Sequence, residues 1–271
     1  MNNEQLPVSL ICIDAFADRP FSGNPAAVCL LDRPAEAQWM QQLAAEINLS
    51  ETAFVRPEGD GFELRWFTPT VEVNLCGHAT LASACALWEL DRVESSQPIE
   101  FYTKSGTLVA RRQGDWIELD FPAKMVRETD PPPALLAALS VAPTFVGSDG
   151  TDYLLEVESE AIVGQLQPNF RQLATLPVRG IIVTSRSSPP YDFVSRFFAP
   201  GSGIDEDPVT GSAHCCLATF WQPRLNKSEF LAYQASPRGG TVRVKLVGDR
   251  VYLGGKAIPV WQGNLLVPLS S

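Results

Sequence analysis

Two short stretches of this chain combine residue types that bind anions and move protons. Gly77-His78-Ala79 and Gly211-Ser212-Ala213 each open a run of small apolar residues, HATLASA and SAHCCLA. Both runs are expected to be helices, and a helix N-terminus presents unpaired N–H groups and a partial positive charge. Glycine at such a start lets a ligand approach the backbone closely. Two such ends suit a carboxylate without requiring Arg or Lys. The two histidines of the chain, His78 and His214, both lie in these openings. His78 is a candidate catalytic or hydrogen-bonding residue, whereas His214 sits further into its helix and is expected to pack or turn away. Glu51, in NLSETAFV, stands where a polar turn meets an apolar strand. An apolar wall raises the proton affinity of a carboxylate, which suits a general acid/base near neutral pH. Asp207, in IDEDPVTGSA, lies just before the second helix opening. It could complement Glu51, orient His78 or bind an amine. Taken singly, a carboxylate beside a turn more often caps or is solvated.

The elements that must position these residues occur twice. Arg65-Trp66-Phe67-Thr68-Pro69 is echoed by Arg196-Phe197-Phe198-Ala199-Pro200. Each pentad follows a β run, Thr52 to Val55 or Ile181 to Thr184, and leads through a loop to Gly77 or Gly211. The second loop is three residues longer. An ordered series of strand, pentad, loop, glycine and apolar helix reads as a duplication. Further strands are expected at Val8 to Phe16, Ala26 to Leu31, Phe62 to Phe67, Ile99 to Tyr102, Thr107 to Arg112 and Trp116 to Phe121. Ser22 to Pro25 reads as a turn cluster, and Pro34 to Glu46 as a helix with proline in its first turn. The second half adds strands at Asp152 to Val157, Gly180 to Ser185, Asp192 to Phe198, Leu231 to Gln234, Thr241 to Val247 and Val251 to Gly254. The tail, Ala257 to Val267, reads as one strand or a pair. Composition shifts around Pro122 to Pro133, so the boundary is placed near Ala123. The fold class is therefore α+β, with two similar units, each a curved antiparallel or mixed sheet around one apolar helix. A pseudo-twofold between them would bring both helix starts into one central cleft.

Composition narrows the function. The chain has 271 residues, 45% of them apolar and 19% charged, which is ordinary for a globular protein. Its net charge of -10, from 31 acids and 21 bases, leaves no basic footprint for nucleic acid. No run of apolar residues is long enough to span a membrane, and the N-terminus lacks signal-peptide character. The six cysteines are scattered, without CxxC spacing, so they are expected to be reduced thiols of a cytoplasmic protein. No HExxH, GxGxxG or Walker spacing is present, and no lysine lies among the cleft motifs. Neither a metal nor an organic cofactor is expected.

These motifs resemble the PhzF-like phenazine biosynthesis family, within the diaminopimelate-epimerase-like fold. The resemblance rests on DAFADRPFSGNPAAV, NLSETAFV, RWFTPTVEVNLCGHATLASA, TKSGTL, DFPA and RFFAPGSGIDEDPVTGSAHC, in that order. It implies a first domain of residues 1–122 joined by a C-terminal strand at about 257–271, a second domain of 123–256, and an active site in the cleft between them. It also implies no cofactor and, often, a homodimer. The family's founding activity is isomerisation of a dihydro-hydroxyanthranilate. The glutamate of its LSETAF motif is the proton carrier, here Glu51, while His78, Asp207 and Ser212 match its other site residues. Gly77 and Gly211 match the amides that hold a substrate carboxylate. Related amino-acid epimerases use a facing pair of cysteines, one at each helix opening. Cys76 holds that position in the first half, but Thr210 holds it in the second, so the two-base epimerase alternative lacks its second thiol. A third reading is a small-molecule binder that has lost turnover.

Overall fold

A computed structural model describes residues 8–269. The chain divides into two units. Among the described residues, one gathers 8–21, Pro25–Asp120 and 255–269, and the other comprises Ser22–Asn24 and Phe121–Gly254.

The first unit is built on two helices, α1 (Ala37–Ile47) and α2 (Gly77–Glu89). Strand Ser9–Ala15 pairs antiparallel with Ala257–Asn264. Asn24–Leu30 runs parallel to Glu51–Glu58, which turns back antiparallel into Gly61–Phe67. Ile99–Thr103, Gly106–Gln113 and Trp116–Pro122 extend this sheet as consecutive hairpins. α2 packs on Ser9–Ala15, Glu51–Glu58, Gly106–Gln113 and Ala257–Asn264. Every α2 residue from His78 to Trp88 is buried, as expected for a helix apolar on all sides. Its small side chains allow close approach. A Cβ on Gly255 would lie 2.3 Å from the Phe16 ring and 2.8 Å from Leu81 of α2. On the other face of the sheet, Trp39, Met40 and Leu43 of α1 pack with Phe54 and Phe67. The Phe54 and Phe67 rings meet edge to face at 5.4 Å.

The second unit repeats the plan. Asp152–Glu156 runs parallel to Gly180–Arg186, which pairs antiparallel with Phe193–Ala199. Glu229–Gln234, Gly240–Val247 and Arg250–Gly255 follow as hairpins. The shorter helices are α3 (Pro133–Leu139), α4 (Glu160–Gln165) and α5 (Phe170–Leu173), and the long one is α6 (Gly211–Leu225). Leu135, Leu139, Val163 and Leu173 from the short helices form a core with Ile181, Val183 and Phe198. Trp221 of α6 stacks on Phe193 at 5.8 Å.

The repeat holds at the level of register. Thr52, Ala53 and Phe54 pair with Phe67, Trp66 and Arg65. Ile181, Ile182 and Val183 pair in the same order with Phe198, Phe197 and Arg196. Each arginine makes a two-pronged ion pair, Arg65 with Glu72 at 2.8 and 3.0 Å and Arg196 with Glu206 at 2.7 and 2.8 Å. Each also lies over its own strand's phenylalanine, Phe67 or Phe198. The three extra residues of the second loop fall before Glu206, where Pro200–Ser202 forms a 3-10 turn.

Several elements differ from the sequence expectations. α1 starts at Ala37, not Pro34, because its N-cap Glu36 is extended, at ψ 138°. Asn24 and Pro25 belong to a strand and not to the turn before it. Both loops after the pentads contain short strands, Glu72–Val73 and Ile204–Asp207, that pair back on the pentad strands. Between 125 and 180, beside the expected strand at Asp152, the structure adds strand Phe145–Ser148 and helices α4 and α5. The tail is one strand, Ala257–Asn264. Among the described residues, no helix is long and apolar enough to cross a membrane.

Candidate active site

In the first unit, Glu51 is the first residue of its strand and His78 the second residue of α2. The parallel partner strand and the pentad strand fix the Glu51 backbone, and burial of α2 fixes the ring. His78 Nε2 lies 3.4 Å from Glu51 Oε2. The imidazole is buried, and desolvation pushes its pKa down to about 3, so it stays neutral at working pH. Its Nδ1 is 3.5 Å from Cys76 Sγ. Cys76 is the N-cap residue of α2, yet its side chain makes no capping hydrogen bond. The predicted carboxylate-binding amides of Gly77 and His78 thus open a helix without a side-chain cap.

The second unit assembles a different set at the equivalent place. Asp207 ends the short strand before α6, and its carboxylate accepts from Asn24 Nδ2 at 2.7 Å and from Thr210 Oγ1 at 2.5 Å. Desolvation raises its pKa to about 6, against the opposing pull of these two donors and of the Arg179 charge. Thr210 is the α6 N-cap residue, and its side chain, engaged with Asp207, does not cap the helix. Gln234, fully buried, clamps the turn. It accepts from the Thr210 N–H at 2.9 Å and donates to the Asp207 carbonyl at 2.7 Å. Ser159 and Asn169 cap α4 and α5, whereas α1 and α3, like α2 and α6, have no side-chain cap. The two longest helices of the repeat therefore start on amides that their own N-cap side chains do not satisfy, which is the arrangement an anionic ligand uses.

Ser212 is held by Arg179, whose Nη2 donates to its hydroxyl at 3.0 Å. Arg179 is itself anchored on buried Asp152. His214 does not join the set. Its Nδ1 is 2.8 Å from the Thr210 carbonyl one turn back, and burial pushes its pKa down to about 4. Sequence reasoning missed Asn24, Thr210, Gln234 and Arg179 as site residues. Asn24 carried the one usable signal, a lone amide between a glycine and a proline at the start of an apolar strand.

The register makes the two halves comparable position by position. Asp207 pairs with Phe197 as Val73 pairs with Trp66, so Val73 is its counterpart. Thr210 answers to Cys76, and Ser212 to His78. One residue before Ile181 is Gly180, the counterpart of Glu51. A Cβ on Gly180 would lie 2.2 Å from the Phe197 ring. The second unit therefore has no room for a carboxylate where the first carries Glu51.

One ligand atom from each of Glu51, Cys76 and His78 lies within 4.8 Å of the others, a group able to hold a metal ion. The three residues come from two elements, which is why motif spacing did not reveal them. A groove of about 750 Å³ in the same unit, lined by Leu31, Val55, Phe62, Leu87 and Ile99, does not include these residues. It has no acid/base pair of the kind formed by Glu51 and His78.

The model of the phenazine biosynthesis-like protein family matches residues 13–263. An uncharacterized isomerase of Halalkalibacterium halodurans is 55% identical over 257 residues, covering 94% of this chain and 97% of the relative. A human phenazine biosynthesis-like domain-containing protein is 40% identical, covering 96% and 99%. The crystal structure of a PhzF-family protein from Enterococcus faecalis superposes with a TM-score of 0.92 at 39% identity, covering 97% of this chain and all of that one. A hydroxyproline epimerase from Agrobacterium vitis shares the fold at 12% identity, with a TM-score of 0.61 over 97% and 94% of the two chains. With that family match, isomerase-named relatives and the same α+β fold, the chain belongs to the phenazine biosynthesis-like (PhzF) family of isomerases.

Proposed function

We propose that the protein moves a proton within a small carboxylate substrate, without a cofactor, and that Glu51 alone carries the proton. The observation behind this reading is the asymmetry of the repeat. Glu51 is matched by Gly180 and Cys76 by Thr210, so neither a second carboxylate nor a second thiol answers from the equivalent position. A threonine hydroxyl is far too weak an acid to replace a thiol. A one-base shift needs a single group that both accepts and donates, and a carboxylate in a water-poor site meets that need.

In this mechanism the amides at Gly77–His78 bind a substrate carboxylate beside Glu51, and those at Gly211–Ser212 offer an anion site of the same kind in the second unit. Glu51 removes a proton from an activated carbon and returns it to another carbon on the same face. Neutral His78 steadies the Glu51 carboxylate and a polar substrate group. Ionised Asp207, held by Asn24 and Thr210, receives an ammonium or other donor of the substrate. Fixed N–H dipoles and positioning supply most of the rate. The chemistry is similar to dihydro-hydroxyanthranilate isomerisation, and we place it in a cytoplasmic protein with reduced thiols, assembled as a homodimer. Incubation with a library of carboxylate metabolites in deuterated water tests the reading. Deuterium uptake into one carboxylate supports it, and tight binding without uptake by any substrate would favour a binder instead.

A further inference from the structure

We propose that Glu51, Cys76 and His78 also form a site for one thiophilic divalent metal ion of the zinc class, and that this ion switches the isomerase off. The inhibitory half rests on the proton-carrier role of Glu51, whereas the binding half stands on geometry alone. One carboxylate oxygen, one thiol sulfur and one imidazole nitrogen lie within 4.8 Å of one another. In a tetrahedral zinc site, neighbouring N, O and S ligands stand about 3.5 Å apart. Two of the separations already have that size: Cys76 Sγ to His78 Nδ1 at 3.5 Å and Glu51 Oε2 to His78 Nε2 at 3.4 Å. A metal takes a single ring nitrogen, so one partner must swing toward it. Glu51 has the longest arm and is the partner that adjusts.

The donor set selects the ion. Calcium and magnesium require shells of oxygen, whereas a thiolate with an imidazole and a carboxylate suits zinc and its borderline-soft neighbours. Three protein ligands leave a fourth position for water or for an oxygen of the substrate. The stoichiometry follows from the repeat. The counterparts of the three ligands are Gly180, Thr210 and Ser212, which offer no such set, so among the described residues the repeat supplies one site of this kind. Once coordinated, Glu51 can no longer exchange a proton, and turnover stops until the ion leaves.

Cobalt(II) is the probe, because its thiolate complexes show sulfur-to-metal charge-transfer absorption. Titration of the full, metal-stripped chain should give that band with one equivalent bound, and zinc should abolish it by displacement. Loss of a group merely supporting a ligand costs roughly 10–100-fold in metal affinity, so loss of a ligand should cost about a hundredfold or more. Cys76→Ser should lose the band. Glu51→Gln should keep the band but bind cobalt more weakly, which covers the case of a serine variant that fails to fold. Cys215→Ala, altered in the other unit, should keep band and affinity. In the exchange assay, the zinc concentration that halves each protein's own rate should rise about a hundredfold in Cys76→Ser, and chelator should restore the wild type. An unchanged band in Cys76→Ser, or no band in the wild type, would overturn the site. A normal band with zinc-insensitive exchange would overturn the inhibition. If no substrate is ever found to exchange, the isomerase reading fails while the cobalt spectrum still decides the site.

Discussion

Thr210 donates its hydroxyl hydrogen to Asp207 Oδ2 at 2.5 Å. The residue that interrupts the cysteine pairing of the repeat is thus committed to the carboxylate of the second unit. Asn24 donates to the other carboxylate oxygen, so both donors favour the ionised form, while desolvation lifts the pKa to about 6. If substrate needs Asp207 ionised, kcat/KM should rise with pH through about 6 as one proton is lost, then level off. Asp207→Asn should remove that inflection and lower kcat/KM by about a hundredfold or more. A pH–rate profile of both proteins checks this, and an inflection that survives in Asp207→Asn would assign it elsewhere.

Acid stability carries a second signature. His78 and His214 have folded pKa values of about 3 and about 4, below the ordinary 6.5. Their contribution is present above about pH 6.5 and is lost as pH falls, because the unfolded chain takes up protons that the folded chain refuses. Asp207 works in the opposite sense. Its raised pKa favours folding below its ordinary value of 3.8, and that contribution is lost as pH rises through about 6. Near pH 5 these three groups together give a net uptake of about one proton on unfolding. His214→Asn keeps a donor for the Thr210 carbonyl but cannot titrate. Urea unfolding at several pH values should therefore show a slope smaller by about one proton in this variant.

The two arginine pairs differ in depth, and their removal should differ in cost. Arg196 and Glu206 are nearly buried, at 9% and 12% side-chain exposure, and Arg196 also donates to the carbonyls of Val163 and Leu166. Arg196→Met leaves Glu206 without its charge partner, and should cost about 3–5 kcal/mol. Arg196→Lys should rescue little, since it cannot reproduce the planar two-pronged contact. Arg65 and Glu72 are more exposed, and Lys104 also reaches Glu72, at 2.6 Å, so Arg65→Met should cost less. Denaturant midpoints for the three variants check the order.

What was legible in the sequence follows from what is local. The Arg-aromatic pentads, the strands before them and the small-residue helices announce themselves through patterns spanning a few residues, and their register in the structure reproduces the repeat. Glu51 and His78 sit on such elements and meet at 3.4 Å. Asn24 and Gln234 were illegible because their roles depend on distant partners. Asn24 contacts Asp207 across 183 positions of chain, and Gln234 holds Thr210 from 24 residues away. α4 and α5 are only 6 and 4 residues long, too short for hydrophobic periodicity to show. Their caps, Ser159 and Asn169, were the available signal.

Packing of the first unit offers a direct control on the central helix. Leu81 is fully buried in α2 and meets the close approach at Gly255. Leu81→Ala should cost about 2–5 kcal/mol by lost transfer energy and residual cavity. Gly255→Ala should also destabilise, since the added methyl meets Phe16 and Leu81 at once. Thermal and urea unfolding of the two variants measure both effects.

The central claim is that one carboxylate, Glu51, carries the proton. The most direct measurement is deuterium incorporation from solvent into the substrate found by library screening, for wild type, Glu51→Gln and Cys76→Ser under the same conditions. Glu51→Gln should lose nearly all incorporation, a drop of about a thousandfold, while Cys76→Ser should fall far less. Glu51→Gln exchanging at the wild-type rate while Cys76→Ser exchanges none would contradict the account and move the proton to the thiol.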